Sequence, residues 1–145
     1  MKATTRTLIA AATIALAMTG VAGAQADDPE KQCSVKTLKG SYVLTASGYV
    51  INDGVARPKT IVELVEFNGD GTLTVSGGTL SVNGVVTQIP PNGIGDYHID
   101  ADCNGGLVFI PGPSFNLFIE RDGKSGLAIQ TNPGNVFQGT IARRK

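Results

Sequence analysis

The chain has 145 residues, with 12 basic and 12 acidic side chains and a formal net charge of zero at pH 7. This length is typical of one domain with one hydrophobic core. The charge pattern disfavours a nucleic-acid-binding protein, because the one cationic cluster is Arg143-Arg144-Lys145 at the end of the sequence, where such charges are usually solvated.

Residues 1–24 are typical of a secretory signal peptide. Lys2 and Arg6 charge its start, an apolar run covers residues 8–18, and Ala22-Gly23-Ala24 supplies the small residues that a signal peptidase recognises. The run is too short for a membrane span, and no second long apolar run follows. We therefore predict cleavage near Ala24, a secreted or periplasmic protein, and no membrane span.

The segments that follow the predicted cleavage site differ in character. Residues 25–32 are polar and predict a short disordered lead-in, so a single domain is expected over residues 33–145. Within that domain, Asn, Asp and Gly cluster at regular intervals, and these residues tolerate the positive φ angles of hairpin turns. The runs between them are rich in β-branched and aromatic residues and show no helical period. The predicted strands cover residues 40–50, 59–67, 72–82, 85–89, 95–101, 107–110, 114–121, 125–131 and 136–143.

Two consecutive prolines, Pro90 and Pro91, make the strand count uncertain by one. Proline has no N–H for the interior of a sheet, so the flanking runs are either separate strands or one strand with an irregular break. The pattern predicts an all-β fold, an antiparallel up-and-down barrel of about eight strands or else a tight sandwich. Closure into a barrel is favoured because it removes both sheet edges. The absence of tryptophan disfavours an outer-membrane barrel with aromatic girdles.

The chain has two cysteines, Cys33 and Cys103. An exported protein experiences an oxidising compartment, which would pair them. Two free thiols or half of a metal site are the alternatives, but two distant thiolates and a single histidine are a poor zinc signal. The sequence therefore predicts one disulfide, no metal site and no cofactor.

Three segments together resemble small exported bacterial β-barrel proteins of unknown function. They are Leu38-Lys39-Gly40-Ser41-Tyr42, the run Glu-Phe-Asn-Gly-Asp-Gly-Thr at residues 66–72, and the run Gly-Asp-Tyr-His-Ile-Asp-Ala-Asp-Cys-Asn-Gly at residues 95–105. That group is similar to calycin-type and allene-oxide-cyclase-type barrels. The resemblance implies a barrel and no activity, because no catalytic set of the plant cyclases aligns with this chain.

Glu63 is the main candidate for a functional side chain. A three-residue loop at residues 69–71, with its last glycine in the left-handed region, would pair Phe67 with Leu73 and Glu63 with Gly77. Apolar residues then oppose apolar residues, so this face would point inward. Glu63 would be an interior carboxylate that must be paired or neutral. The alternative is a glutamate near the rim, in a register shifted by one residue.

Other patterns favour structure over chemistry. His98, Asp100 and Asp102 share one strand face, but the opposite face is more apolar, so we expect these three side chains to be solvated. Residues 68–72 are similar to a calcium loop but lack its ligand spacing, and a hairpin explains them. The apolar run 107–118 contains Pro-Gly-Pro, which predicts a lip at a barrel mouth, an exposed hydrophobic loop or a plain connection between two strands.

The leading hypothesis is a non-enzymatic exported barrel that binds a small apolar or amphipathic molecule through Glu63, Tyr42, Tyr97 and Phe67. One alternative is a structural or interaction protein of the cell envelope, with a filled barrel and a protein partner that the sequence does not identify. The other is an enzyme using the interior carboxylate, although no further catalytic residue is indicated. A cavity above roughly 300 Å³ would favour binding or catalysis over a filled barrel. A strongly raised pKa of Glu63 would favour the enzyme.

Overall fold

The computed structural model describes residues 32–145. The predicted signal peptide, and residues 25–31 of the predicted lead-in, lie outside the described residues. The described part contains a short 3₁₀ helix, Val35–Thr37, and nine strands. No helix within residues 32–145 is long and apolar enough to cross a membrane. The strands are β1 Gly40–Asn52, β2 Val55–Phe67, β3 Thr72–Val82, β4 Val85–Ile89, β5 Gly93–Ile99, β6 Asn104–Ile110, β7 Ser114–Ile119, β8 Ser125–Gln130 and β9 Asn135–Arg143.

Eight of these strands form a closed antiparallel barrel. The wall runs in the order β1, β2, β3, β5, β6, β7, β8 and β9, and β9 pairs with β1 to close it. Each connection joins neighbours in space, as in an up-and-down barrel. The predicted all-β barrel of about eight strands is therefore confirmed, and the sandwich alternative is excluded.

β4 is the one strand of the described chain that lies outside the barrel wall. It pairs with Gly78–Val82 of β3, whereas β5 pairs with Thr72–Val75 of the same strand. Pro90 and Pro91 lie in the break between β4 and β5. The two runs are thus separate strands that pair with the same neighbour, β3, because the prolines interrupt the ladder between them.

One end of the barrel is filled, and we call it the closed end. Leu38 is 0% exposed there and packs in the same core as Tyr42, Phe67 and Tyr97. The Tyr97 hydroxyl lies 2.8 Å from the carbonyl oxygens of Val35 and Leu38, so it holds the segment before β1 across the barrel. Large rings and one crossing segment therefore seal this end.

The predicted disulfide between Cys33 and Cys103 is present. Cys103 lies in the turn between β5 and β6, and the Cys33 N–H also donates to the carbonyl oxygen of Ala101 at 3.1 Å. The bond therefore ties the segment that seals the closed end to the barrel wall.

We expect the double variant C33A/C103A to lose up to about 4 kcal/mol of unfolding free energy. The bond closes a loop with a sequence separation of 70 residues, and its loss frees the unfolded chain. Urea denaturation of the oxidised protein, the reduced protein and the double variant measures this. The reduced protein should match the double variant, and equal stability of all three would contradict a structural role for the bond.

Candidate functional site

At the end opposite the closed end, the barrel interior opens into a cavity of about 520 Å³. This volume lies in the range of small-molecule sites, which are mostly apolar with a few polar groups. The polar side chains that line it are Lys59, Glu63, Gln130 and Asn132. The apolar ones include Ile61, Val75, Leu80, Ile89, Phe109, Phe115 and Phe137.

Two proline-containing segments border the mouth of the cavity. Pro111, Gly112 and Pro113 connect β6 to β7, and Pro90 follows β4. The Phe109 N–H donates to the carbonyl oxygen of Pro113 at 3.0 Å, which holds the Pro-Gly-Pro loop in a tight turn. Of the alternatives for this run, the structure shows the lip at the barrel mouth.

Glu63 lies on the inner face of β2, where its side chain is 5% exposed. Its predicted register is wrong by one residue, because it pairs with Gly78 rather than Gly77. The ladder shifts between Leu64 and Val65, which leaves Ser76 of β3 without a partner on β2. Such a bulge bends a strand. The inward orientation survives because Phe67 still pairs with Leu73, below the bulge.

The Glu63 carboxyl group has no protein partner within residues 32–145: none of their side chains or N–H groups hydrogen-bonds to it or forms an ion pair with it. Burial raises the pKa of Glu63 from 4.5 to about 7. Both protonation states are therefore populated near neutral pH. The protonated form offers one O–H donor, and the ionised form offers acceptors alone.

Lys59 lies on the same face of β2, nearer the mouth, but it is well partnered. Its ammonium group lies 3.0 Å from Gln130 Oε1, 3.4 Å from Asn135 Oδ1, and 4.3 Å from the centre of the Phe137 ring. Gln130 in turn donates from Nε2 to Asn132 Oδ1 at 3.2 Å. Burial lowers the pKa of Lys59. Acceptors and a ring face stabilise its charge at the rim.

Three of the polar cavity residues were not predicted from the sequence: Lys59, Gln130 and Asn132. Strand alternation contains a signal for two of them. Lys59 is four positions before Glu63 on one strand and so shares its face, and Gln130 follows the inward Ala128 by two positions. Asn132 lies in the loop after β8, where no periodicity applies.

The structure does not bring the other three predicted ligand-binding residues to the cavity. Tyr42, Phe67 and Tyr97 lie at the closed end, with ring centres 5.2 Å apart for Tyr42 and Phe67 and 4.9 Å apart for Phe67 and Tyr97. The Tyr42 hydroxyl donates to the Gly123 carbonyl at 2.6 Å. Burial raises the pKa of both tyrosines, which keeps their hydroxyl groups protonated as donors. Of the four predicted residues, Glu63 alone lines the cavity.

The remaining sequence candidates are exposed and structural. His98, Asp100 and Asp102 are exposed, as expected, although β5 ends at Ile99 and Asp102 belongs to a turn. Among residues 32–145, no group of three or more His, Cys, Asp and Glu side chains could hold a metal ion. Asp70 accepts from the Thr72 N–H at 2.9 Å inside a hairpin, which confirms the turn interpretation of residues 68–72.

The chain matches no protein-family model, no curated protein and no solved structure. The resemblance to small exported bacterial barrels therefore stays a prediction.

We expect Glu63→Gln to stabilise the protein above pH 7 by up to about 3 kcal/mol and to have little effect below pH 4.5. The folded-state pKa of Glu63 lies above its usual value of 4.5, so the native state binds the extra proton between pH 4.5 and 7. The stability of the parent protein therefore falls as the pH rises through this window, and the glutamine variant escapes that loss.

Urea denaturation of both proteins at several pH values measures the difference. The matched control is Glu120→Gln, which changes an exposed glutamate just after β7. A difference that is constant across this pH range would contradict the interior position of the Glu63 carboxyl group.

We expect Gly78→Ala to lower the unfolding free energy by about 1 to 3 kcal/mol. A Cβ atom at Gly78 would lie 2.6 Å from the Val62 carbonyl oxygen and 2.9 Å from Glu63 Cα, so backbone would have to move. The control is Gly106→Ala, whose Cβ atom would meet the exposed His98 ring at 2.6 Å. That ring can rotate away, so the control should lose less. Equal losses in thermal melts would reject the close approach of β2 and β3.

Proposed function

We propose that this protein is an exported, non-enzymatic β-barrel that binds a small amphipathic molecule inside its cavity. The apolar part of the ligand packs among the aliphatic and aromatic side chains of β2–β7 and β9. Its polar part meets Glu63. The observation that carries the proposal is a buried carboxyl group, without a partner in the described chain, that lines a mostly apolar cavity of about 520 Å³.

The energetics of the cavity lining support binding. The Glu63 carboxyl group loses much of its hydration on burial and has no donor within residues 32–145, so its charged form is unfavourable. Apolar walls around solvent leave hydrophobic free energy that a ligand would gain on entry. Both contributions to the free energy become more favourable when an amphipathic molecule replaces the solvent. Its tail covers the apolar walls, and its polar group hydrogen-bonds to Glu63. A barrel filled by its own side chains would offer neither of these gains in free energy.

A second candidate function is an enzyme that uses Glu63 as a general acid or base. It is favoured by the pKa of Glu63, which burial raises to about 7, since a group that titrates near the working pH transfers protons efficiently. We place it second because the other charged side chain on the cavity wall of the described chain, Lys59, is engaged by two amide oxygens. An enzyme would convert the bound ligand, whereas a binder releases it unchanged, so mass spectrometry of the recovered ligand separates the two.

The neutral apolar dye Nile red tests the proposed cavity. We expect its fluorescence to rise on binding to the parent protein and the variant Ile61→Trp to abolish that rise. Ile61 lines the cavity, and a tryptophan there would occupy much of it. The control is Leu127→Trp, because Leu127 is 60% exposed on the outside of β8.

Circular dichroism of both variants checks the fold. Should Ile61→Trp fail to fold, Ile89→Trp takes its place, because Ile89 also lines the cavity and is half-buried. Loss of dye binding in the Ile61 or Ile89 variant, with retention in the Leu127 variant, supports the interior site. Equal binding by all proteins would place the dye on the surface and overturn the proposal.

A further inference from the structure

We infer that the polar group of the ligand is a cation, and specifically an organic ammonium group that pairs with Glu63 deep in the cavity. The inference rests on the proposed function and narrows it to one class of amphipathic molecule: an aliphatic amine whose apolar part is an alkyl or arylalkyl group. The feature that leads to it is an imbalance between the two charged side chains that line the cavity.

The two charges differ in how well the protein satisfies them. The Lys59 ammonium group already has acceptors at 3.0 Å from Gln130 and 3.4 Å from Asn135, and it lies over the Phe137 ring. Within the described residues, the Glu63 carboxyl group has no donor at all. An acidic ligand would offer Lys59 hydrogen-bond acceptors of the kind it already has, whereas a basic ligand would offer Glu63 the hydrogen-bond donors that it lacks.

The groups that face Glu63 carry no other charge that competes for it. Its neighbours in the ladder are Leu44 of β1 and Gly78 of β3. Gln130, Asn132 and Phe137, from β8, the following loop and β9, are neutral. Lys59 is thus the single other titratable side chain on the cavity wall of residues 32–145.

The distance along β2 keeps Lys59 from taking the place of the ligand. Four residues of a strand span on the order of 13 Å between Cα atoms, and the Lys59 side chain turns to the amides of β8 and β9. Between these two described residues no ion pair forms. The ammonium group of a ligand can therefore reach Glu63 beyond Lys59, with its apolar tail towards the mouth.

Electrostatics disfavour the other two head groups. An anionic head in the cavity would place a like charge near Glu63, which must then stay protonated. A neutral alcohol can accept one hydrogen bond from the protonated carboxyl group or donate one to the ionised form, but it leaves the charge of the latter unpaired. A primary ammonium group offers three donors and a full charge, and charge-assisted hydrogen bonds are roughly twice as strong as neutral ones.

The pairing makes ligand affinity depend on pH with a definite sign. An ammonium ligand needs the ionised form of Glu63, and burial raises the pKa of that carboxyl group to about 7. The ionised fraction rises about tenfold between pH 6 and 8, so the apparent affinity should rise by about the same factor. An alkylamine keeps its charge over this range, because an aliphatic ammonium group titrates near pH 10.

The test compares three probes that share an n-octyl chain and differ in the head group: n-octylamine, n-octanol and n-octanoate. Isothermal titration calorimetry gives their dissociation constants for the parent protein, Glu63→Gln and the exposed control Glu120→Gln, at pH 6 and pH 8. For the parent and the control, we expect octylamine to bind most tightly at pH 8 and about tenfold more weakly at pH 6. Glu63→Gln should weaken octylamine binding at pH 8 at least about tenfold and remove its pH dependence.

Octanol separates failure of this inference from failure of the proposed function. If octanol or octanoate binds as tightly as octylamine, or if Glu63→Gln leaves octylamine binding unchanged, the cavity binds amphipathic molecules but not through an ammonium group. The inference is then overturned while the proposed function stands. If none of the three probes binds and Nile red fails as well, both are overturned.

Discussion

Pairing of β9 with β1 is the contact on which the rest of the molecule depends. It joins residues from Tyr42 to Val50 with residues from Arg143 to Asn135, and it turns a long meander into a closed wall. Closure removes the unpaired edges of β1 and β9 and fixes how much interior eight strands enclose. With the interior volume fixed, the side chains decide which part is filled and which part is open.

The two ends of the barrel differ because large rings concentrate at one of them. Tyr42, Phe67 and Tyr97 pack edge to face, and the segment fixed by the disulfide crosses below them. At the other end, β4 pairs with β3 as far as Ile89, and β5 joins the wall at Gly93 after the two prolines. The ladder on this side of β3 is therefore interrupted near the bulge at Ser76, and the barrel interior at this end is open to solvent.

The turn residues predicted most of this fold. Clusters of Asn, Asp and Gly fall at almost every strand boundary, because these residues adopt the positive φ angles that the hairpins need, as at Asp53 and Asn83. β2 begins at Val55, before Pro58, and not after it as predicted. The strand tolerates Pro58 because this position contributes its carbonyl oxygen, which accepts from the Asn83 N–H at 2.8 Å, and needs no N–H. The bulge at Ser76 had a local signal that was not used: Gly77 and Gly78 follow it inside the strand, glycine within a strand often marks a bulge, and Gly77 has a φ of 129°.

The candidate site shows what strand alternation can and cannot predict. Alternation distinguishes the inner face from the outer face, and it correctly placed Glu63 inside. It gives no height along the barrel axis, which depends on the stagger between strands, so Tyr42 and Tyr97 also pointed inward but belong to the opposite end. Strand alternation also does not show which of the two charged side chains has hydrogen-bond partners. Lys59 and Glu63 have the same face, the same strand and opposite charges, yet the amides of Gln130 and Asn135 reach one of them alone. The proposed preference of the cavity for a cationic ligand thus depends on the segment from the end of β8 to the start of β9, far away in sequence from both ionisable groups.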